Sequence, residues 1–320
     1  MCVFLLFSSF ESRCIFSPTI RIAYELDQDV RMKDCLDGQL GKIYHAEWIS
    51  NDNHSPIVLL KFENVLSEYE LLFYNSRYSH QHLVHSYGFV QSKMPSFLLL
   101  QERAPYGDLQ MLLKKNEFRP STSVLVRIFT QIIEAMIYIT TQNLVHGDLR
   151  CANVLVFEKN DFNPDGNLVK LKNFALTCPN DPIRKTTRRL TIPVRYCALE
   201  ILRSAGQANY SELSDVYSMG VLMWEACSRG ERPYASLQLN SEVRQRKLNR
   251  ETLVKPSSCD QRLWSIIEDC WHNKPNLRYK FSDMKTRLSQ IPAKYFFLFF
   301  HSSTARHSSR LDPMSIILSN

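Results

Sequence analysis

The chain has 320 residues, of which 44% are hydrophobic and 22% charged, and this balance excludes disorder over the whole length. The net charge of +7 is diffuse, so it weakly favours acidic or phosphorylated partners and does not predict nucleic-acid binding. The longest apolar runs, Cys2–Phe7 and Tyr295–Phe300, are far shorter than the roughly 20 residues of a membrane-spanning helix, which excludes a transmembrane segment.

The N-terminal part of the chain is predicted to alternate strands with one helix. Residues 1–20 are apolar, contain serine and lack a clear period, whereas residues 63–78 place apolar side chains at helical spacing. The predicted elements, in order, are the strands Ile43–Trp48 and Ile57–Phe62, the helix Glu63–Tyr78, and the strands Leu83–Val90 and Phe97–Gln101. A small β-rich lobe is therefore expected.

After Gly107 the pattern becomes mainly helical. The segment Val124–Thr141 has apolar residues at every third or fourth position, which predicts a buried stripe along one helix. The other predicted elements are the helices Asp108–Lys115, Ser214–Ser228 and Leu263–Trp271, and the short strands Leu144–Val145 and Val154–Phe157. A larger helical lobe follows the small one, and residues 292–320 are expected to lie outside the core.

Nine cysteines are spread through the sequence. Their number is odd and no pair has the CxxC spacing, which argues against a disulfide framework and against a structural zinc site. Free thiols are typical of a reducing compartment, so the expected location is cytoplasmic.

The most informative segment is His146–Val156, which places Asp148 and Asn153 in a loop before a short apolar strand. Phosphoryl transfer uses such a pair, because a carboxylate accepts the proton of the substrate hydroxyl and an amide oxygen holds a metal ion on the phosphates. We therefore identify Asp148 and Asn153 as candidate catalytic residues, and Asn153 also as a metal ligand.

This segment resembles the catalytic loop of protein kinases, and its form Asp-Leu-Arg-x-Ala-Asn resembles the tyrosine-kinase version. Other landmarks of the family appear in the expected order. The resemblance implies that ATP is bound by the strand lysine Lys61, by Gly38, Gly41 and Ile43 of a glycine-rich loop, and by the gatekeeper Gln101 and the first hinge residue Glu102. The resemblance also implies that Arg278 pairs with Glu200.

The fold implied by this resemblance is α+β and bilobal, with a small β-rich N-lobe carrying one regulatory helix and a larger α-helical C-lobe. The expected domain covers residues 26–291, divided into an N-lobe of about 26–103 and a C-lobe of about 104–291. Residues 1–25 form an N-terminal extension and residues 292–320 a C-terminal tail.

The metal-binding motif departs from the family pattern. Its Asp-Phe-Gly is Asn173-Phe174-Ala175 here, so the second metal ligand, Asn173, keeps an oxygen but lacks the negative charge. We expect Mg²⁺ binding to be weakened or absent.

Regulatory positions also depart from the pattern. Leu36 replaces the first glycine of the glycine-rich loop, and Leu71 stands where the regulatory-helix glutamate belongs. Either the turn before His80 is irregular, or the lysine–glutamate pair is missing, and we interpret Glu70, one position away, as a solvated helix residue. Gly147 replaces the arginine that receives a loop phosphate, and the activation loop 175–192 contains no tyrosine. Its basic cluster is either a solvated face or a docking patch for an acidic partner: Arg184, Lys185, Arg188 and Arg189.

Together these features are most similar to non-receptor tyrosine kinases and to the Janus-kinase pseudokinase domain. The first hypothesis is a regulatory pseudokinase in signalling that binds ATP and controls a protein partner by contact. The second is an active protein tyrosine kinase, in which Asp148 is the base and a protein tyrosine is the substrate. A fragment of a longer multidomain protein is the third, and the sequence does not set the oligomeric state.

Overall fold

The computed structural model describes residues 22–36, 42–49, 56–62, 68–76, 78–93, 97–174, 176–179, 192–205 and 210–292. In this part of the chain, a sheet and one helix form a small lobe. Its elements are β1 (Ile22–Glu25), β2 (Val30–Leu36), β3 (Lys42–Trp48), β4 (Ile57–Phe62), α1 (Glu68–Asn75), β5 (Ser86–Gln91) and β6 (Phe97–Glu102).

The strands of the small lobe form one sheet in the order β1-β5-β6-β4-β3-β2. Neighbours pair antiparallel except β1, which runs parallel to β5. The central strand β6 is buried on both faces, since Leu98 and Leu100 join an apolar cluster on one side and Leu99 joins the main core on the other. This double burial explains the continuous apolar run in β6.

The large lobe is mainly helical. Its elements are α2 (Leu109–Lys114), α3 (Thr122–Thr141), β7 (Leu144–Val145), β8 (Val154–Glu158), β9 (Leu168–Leu171), β10 (Cys178–Pro179), α4 (Leu199–Arg203), α5 (Glu212–Cys227), α6 (Asn240–Leu248), α7 (Gln261–Cys270) and α8 (Phe281–Ser289). Helix α5 lies at the centre of this lobe, with Gly220 facing α7. A Cβ at Gly220 would lie 2.6 Å from the Cβ of Cys270, so glycine permits this close approach.

Helix α3 is, among the described residues, the one long and apolar enough to cross a membrane by length and composition. More than half of its most apolar window, 56%, is buried inside the protein. Its buried side chains, such as Ile128, Ile132 and Met136, pack in the core of the large lobe. The helix therefore has the burial of a core helix.

The bilobal α+β fold expected from the sequence is confirmed, with local differences. The strand predicted from Leu83 begins only at Ser86, because Val84 donates its N–H to the carbonyl of Leu171 in β9 at 2.9 Å. Helix α1 ends at Asn75, where the prediction extended to Tyr78, and residues 63–67 lie outside the described residues. The sheet also includes Ile22–Glu25, just before the expected boundary at residue 26.

Candidate active site

The loop of residues 146–153 follows β7, and helix α5 contacts its backbone. Asp215 of α5 accepts the backbone N–H of His146 at 2.7 Å and that of Gly147 at 2.9 Å. Gly147 has a φ of +80°, and a Cβ there would lie 3.0 Å from Leu176, so glycine suits this position on both counts. The loop conformation is therefore fixed by one buried carboxylate.

Asp148, the candidate catalytic residue of this loop, accepts several hydrogen bonds. Its Oδ2 accepts from Nδ2 of Asn153 at 2.8 Å and from Nδ2 of Asn173 at 3.2 Å, and it lies 3.2 Å from the guanidinium of Arg150. Its Oδ1 is buried and has no hydrogen-bond partner in the described part of the chain. Burial raises the pKa of the Asp148 carboxyl, and the charge of Arg150 opposes this rise. One oxygen of this carboxylate therefore has unused acceptor capacity, although the protein encloses it.

The two asparagines predicted as metal ligands contact each other. Nδ2 of Asn173 donates to Oδ1 of Asn153 at 3.2 Å as well as to Asp148. Because both neighbours are acceptors, the amide of Asn173 turns its N–H groups, and not its oxygen, towards them. Asn173 adopts a φ of +70°, a conformation that asparagine tolerates well.

This donor set does not fit a magnesium ion. Mg²⁺ prefers oxygen ligands and is usually held by one or two carboxylates, whereas here an amide N–H group points at the oxygens that would bind it. Among the described residues, no group of three or more His, Cys, Asp or Glu side chains could hold a metal.

A cleft of about 380 Å³ lies between the two lobes. It brings together five of the residues predicted from the sequence, namely Lys61, Ile43, Gln101, Asn153 and Asn173. Seven further lining residues are apolar or come from the connection between the lobes, namely Leu36, Val58, Leu60, Ala104, Pro105, Tyr106 and Leu155. A cavity of this size with mainly apolar walls and a few polar groups is typical of a small-molecule site.

Glu70 of α1 is buried and lines the same cleft as Lys61, so the prediction of a solvated Glu70 is wrong. Glu70 shares a helix face with Phe73 and Tyr74, which are also buried, because residues three and four positions apart lie on one side of a helix. The neighbouring Leu71 packs instead against the core. The helix register, and not the count back from His80, decides which residue faces the cleft.

Aromatic side chains connect α1 to the catalytic loop. Phe174 stacks on Phe73 with ring centroids 3.7 Å apart and lies 5.0 Å from the ring of His146. Tyr74 meets Phe89 of β5 edge to face at 6.3 Å. A continuous chain of contacts therefore runs from the small lobe to the catalytic loop.

The side chains of the residues predicted at the gatekeeper and hinge positions, Gln101 and Glu102, point in different directions. The side chain of Gln101 is buried in the cleft and donates to Oγ of Ser86 at 2.7 Å. The Glu102 carboxylate instead forms an ion pair with Lys170 at 2.8 Å and accepts the N–H of His85 at 2.7 Å. Only the first of these two side chains lines the cleft.

Two cationic residues of the cleft were missed in the sequence, Lys172 and Arg103. Lys172 directly precedes Asn173, so its position next to the degenerate motif was a signal that could have found it. Burial lowers the pKa of the Lys172 amine, while the nearby Asp108 carboxylate acts in the opposite direction.

The loop between residues 192 and 198 is held from several sides. The expected pair of Arg278 with Glu200 is confirmed, with two hydrogen bonds of 2.7 and 2.9 Å. The buried amine of Lys247 donates to the carbonyls of Val194, Arg195 and Cys197 at 2.6 to 3.4 Å. The loop on this side of the candidate catalytic residues is therefore held by several hydrogen bonds.

Several predicted residues lie outside the described residues. These are Gly38 and Gly41 of the glycine-rich loop, Ala175 of the metal motif, and the basic cluster Arg184, Lys185, Arg188 and Arg189.

The chain is similar in sequence to a known protein family and to several of its members. The family described as protein tyrosine and serine/threonine kinase matches residues 31–288. The tyrosine-protein kinase Fer of Rattus norvegicus is 27% identical over 274 residues, which cover 83% of this chain and 32% of Fer. Ephrin type-A receptor 5 of the same species is 31% identical, covering 67% of this chain and 20% of the receptor.

A third relative is the tyrosine-protein kinase transmembrane receptor Ror of Drosophila melanogaster. It is 30% identical over 287 residues, which cover 84% of this chain and 40% of the receptor. The chain thus spans well under half the length of each of these three relatives.

Proposed function

The chain belongs to the protein tyrosine and serine/threonine kinase family, within its tyrosine-kinase group, and from this premise we propose that it is a catalytically impaired pseudokinase. In this proposal it binds ATP in the cleft between the lobes and regulates a protein partner in signalling by direct contact. The family generally uses ATP with Mg²⁺, and here the metal contribution is weakened or absent.

The observation that carries this proposal is the hydrogen bonding of Asn173. Its amide donates N–H groups to Asp148 and Asn153, so the side chain lacks the negative charge that the family's aspartate offers a metal and directs a donor at the neighbouring oxygens. Charge-assisted contacts are roughly twice as strong as neutral ones. Losing one here should cost about 3–5 kcal/mol of transition-state stabilisation and slow phosphate transfer by roughly 10²–10⁴.

ATP binding is supported by the residues that line the cleft. Lys61 offers a cation for the phosphates, Ile43 an apolar wall for a base, and Gln101 a buried polar group at the back. Glu102 would contribute through its main chain, because its side chain is engaged by Lys170. Gly38 and Gly41 remain part of the proposed phosphate-binding loop.

An active tyrosine kinase is the second candidate, and the unpaired Oδ1 of Asp148 favours it. In that function Asp148 accepts the proton of the tyrosine hydroxyl as the oxygen bonds to the terminal phosphorus of ATP, and the bond from that phosphorus to the bridging oxygen breaks to release ADP. Lys61 orients the phosphates, and Glu70 in the same cleft is placed to support that lysine.

Transfer of labelled phosphate from ATP to a tyrosine-rich peptide distinguishes the two candidates. Wild type, Asp148→Asn and Asn173→Asp are compared with Mg²⁺ and with Mn²⁺, after melting curves establish that each is folded. A pseudokinase gives no transfer above Asp148→Asn, while Asn173→Asp, which restores the carboxylate, gives a measurable rate. Transfer by wild type at ordinary kinase rates that Asp148→Asn abolishes overturns the pseudokinase and supports the active enzyme.

The finer assignments remain part of the proposal. They include the similarity to the Janus-kinase pseudokinase domain, the cytoplasmic location, and a domain that ends at residue 291. Its start, expected at residue 26, lies at Ile22 or earlier because β1 belongs to the sheet. Since the chain covers only part of each relative, the partner or substrate of a longer protein is also proposed only as a class: a protein, either contacted or phosphorylated on tyrosine.

A further inference from the structure

Lys172 is a cationic residue of the cleft lining to which the proposed function assigns no role. It follows β9, and its main chain is fixed on both sides: its N–H donates to the carbonyl of Asn153 at 3.0 Å, and its carbonyl contacts Nε2 of His146 at 3.1 Å. Lys172 is one of the residues that line the cleft, as are Lys61 and Asn173. Within the described ranges its amine makes no hydrogen bond or ion pair, and the charges that act on it are those of Asp108 and Arg150, so its N–H donors remain available to a ligand.

The described lining of the cleft carries more positive than negative charge. Lys61, Arg103 and Lys172 are basic, whereas Glu70 is the acidic member. Outside the lining, the Asp148 and Asp108 carboxylates add two negative charges and Arg150 adds one positive charge, and Arg150 and two asparagine amides contact Asp148. These described groups together still carry more positive than negative charge. An anionic ligand therefore enters a site whose charge is complementary to its own.

Charge counting explains why a lysine could belong here. An aspartate with a bound divalent cation adds one net positive charge, since one negative charge and two positive charges are combined. Asn173 adds none, and Lys172 adds one, so the net charge next to the phosphates is the same as with a metal.

We infer that Lys172 neutralises the phosphates of a nucleoside triphosphate in place of a divalent cation, so that the cleft binds the nucleotide without metal. This inference rests on the proposed nucleotide binding and assigns its charge balance to a particular side chain. A lysine is suited to this task because its ammonium is a compact charge with three donors on a flexible stem.

Calorimetric titration of the folded protein with ATP and with adenosine, both in EDTA, tests the inference. The variants are Lys172→Met and, as a second replacement that keeps a polar end, Lys172→Gln. Lys115→Met is the matched control, since Lys115 is an exposed lysine outside the cleft lining. Wild type should bind ATP about equally well in EDTA and in Mg²⁺. Both Lys172 variants should lose about tenfold or more in ATP affinity in EDTA.

Adenosine separates charge from packing, because it lacks phosphates. Its affinity should stay within about twofold in the Lys172 variants, and a parallel loss for adenosine and ATP would overturn the inference. The inference is also overturned if both variants keep the ATP affinity of wild type, or if wild type binds ATP only with Mg²⁺. In either case, binding of adenosine would still support the proposed nucleotide site. If folded wild type binds neither ligand, the proposed nucleotide binding fails together with the inference.

A charge exchange gives an independent check. The single substitution Asn173→Asp introduces the carboxylate of the family motif while Lys172 is kept. It should make ATP binding weaker in EDTA and stronger on addition of Mg²⁺. The double variant Lys172→Met with Asn173→Asp should depend on Mg²⁺ most strongly. A double variant that binds ATP as well as wild type in EDTA would contradict the role of Lys172.

Discussion

His146 is held as a neutral imidazole by its hydrogen bonds. The backbone N–H of Asp148 donates to Nδ1 at 3.2 Å, so Nε2 carries the proton and donates to the carbonyl of Lys172 at 3.1 Å. Burial lowers the pKa of His146 to about 4. A second proton would have to enter at Nδ1, where it would face another donor.

This arrangement predicts a loss of stability in mild acid. An unfolded histidine binds its proton near pH 6.5, so between that pH and 4 the unfolded chain binds more protons and stability falls as the pH falls. His146 alone should contribute up to about 3 kcal/mol to this loss. Urea unfolding at several pH values checks it, and His146→Asn should have a flatter profile. Equal slopes for the two proteins would contradict the prediction.

Lys247 is a buried cation whose partners are main-chain carbonyls. Its three donors match the carbonyls of Val194, Arg195 and Cys197, and its amine also lies 5.0 Å from the ring of Tyr217. Burial lowers the pKa of Lys247 to about 8, so the amine is still charged at neutral pH. The loop that precedes α4 is thereby fixed from α6.

We expect wild type to gain stability relative to Lys247→Met as the pH rises from about 8 to about 10. An unfolded lysine keeps its proton to about pH 10.4, so in this window the unfolded chain binds more protons than the folded one. The gain should reach about 3 kcal/mol at most. Guanidinium unfolding of both proteins at pH 7, 8, 9 and 10 measures the difference, and a difference that does not change with pH would speak against the prediction.

At the scale of secondary-structure elements, Arg278 ties α4 to the region before α8. Its guanidinium side chain has no exposed surface and makes two hydrogen bonds with Glu200, while further N–H groups donate to the carbonyls of Leu213 and His272 at 2.8 Å. Such a planar, fully bonded arrangement suits arginine and not lysine.

Arg278→Ala should therefore lower the free energy of unfolding by about 3–5 kcal/mol, because it leaves the Glu200 carboxylate without its cation. Arg278→Lys is the matched variant: it keeps the charge, loses the planar double contact and should cost about 1–3 kcal/mol. Thermal and urea unfolding measure both. Equal losses in the two variants would contradict the prediction, because they would mean that the retained positive charge of lysine does not stabilise the contact.

Some contacts between elements could be predicted from the sequence, and others could not. The pair Glu200–Arg278 could be predicted because both residues stand in motifs that the resemblance identifies. The position of Glu70 in the cleft could not, because the sequence left open whether the turn before His80 is regular, and the structure shows that α1 ends at Asn75, well short of His80. The buried neighbours Phe73 and Tyr74 on the same helix face were the better guide, since packing sets the register.

At the scale of the whole molecule, the two lobes are linked beside the cleft by the pair of Glu102 and Lys170. Glu102 ends β6 of the small lobe, and Lys170 lies in β9 of the large lobe, with both side chains 15% exposed. Sequence reasoning placed Glu102 at the hinge but not its partner, because the contact joins residues far apart in the chain. The bilobal fold itself could be predicted, since it depends on apolar patterns that extend over whole elements.

Lys170→Met should lower the free energy of unfolding by about 1–2 kcal/mol, because the pair is largely shielded from water. Glu102→Gln and the double variant complete a mutant cycle in which the combined loss is smaller than the sum of the single losses. Urea unfolding measures all of them. Additive losses would mean that the two side chains do not stabilise each other.

The parallel strand β1 has a practical consequence for anyone who prepares shorter forms of this protein. It covers the outer edge of β5, and open edges of sheets are templates on which chains pair with one another. The family match begins only at residue 31, so a fragment cut at that boundary would lose β1 and expose β5. A soluble fragment for purification should therefore start before Ile22.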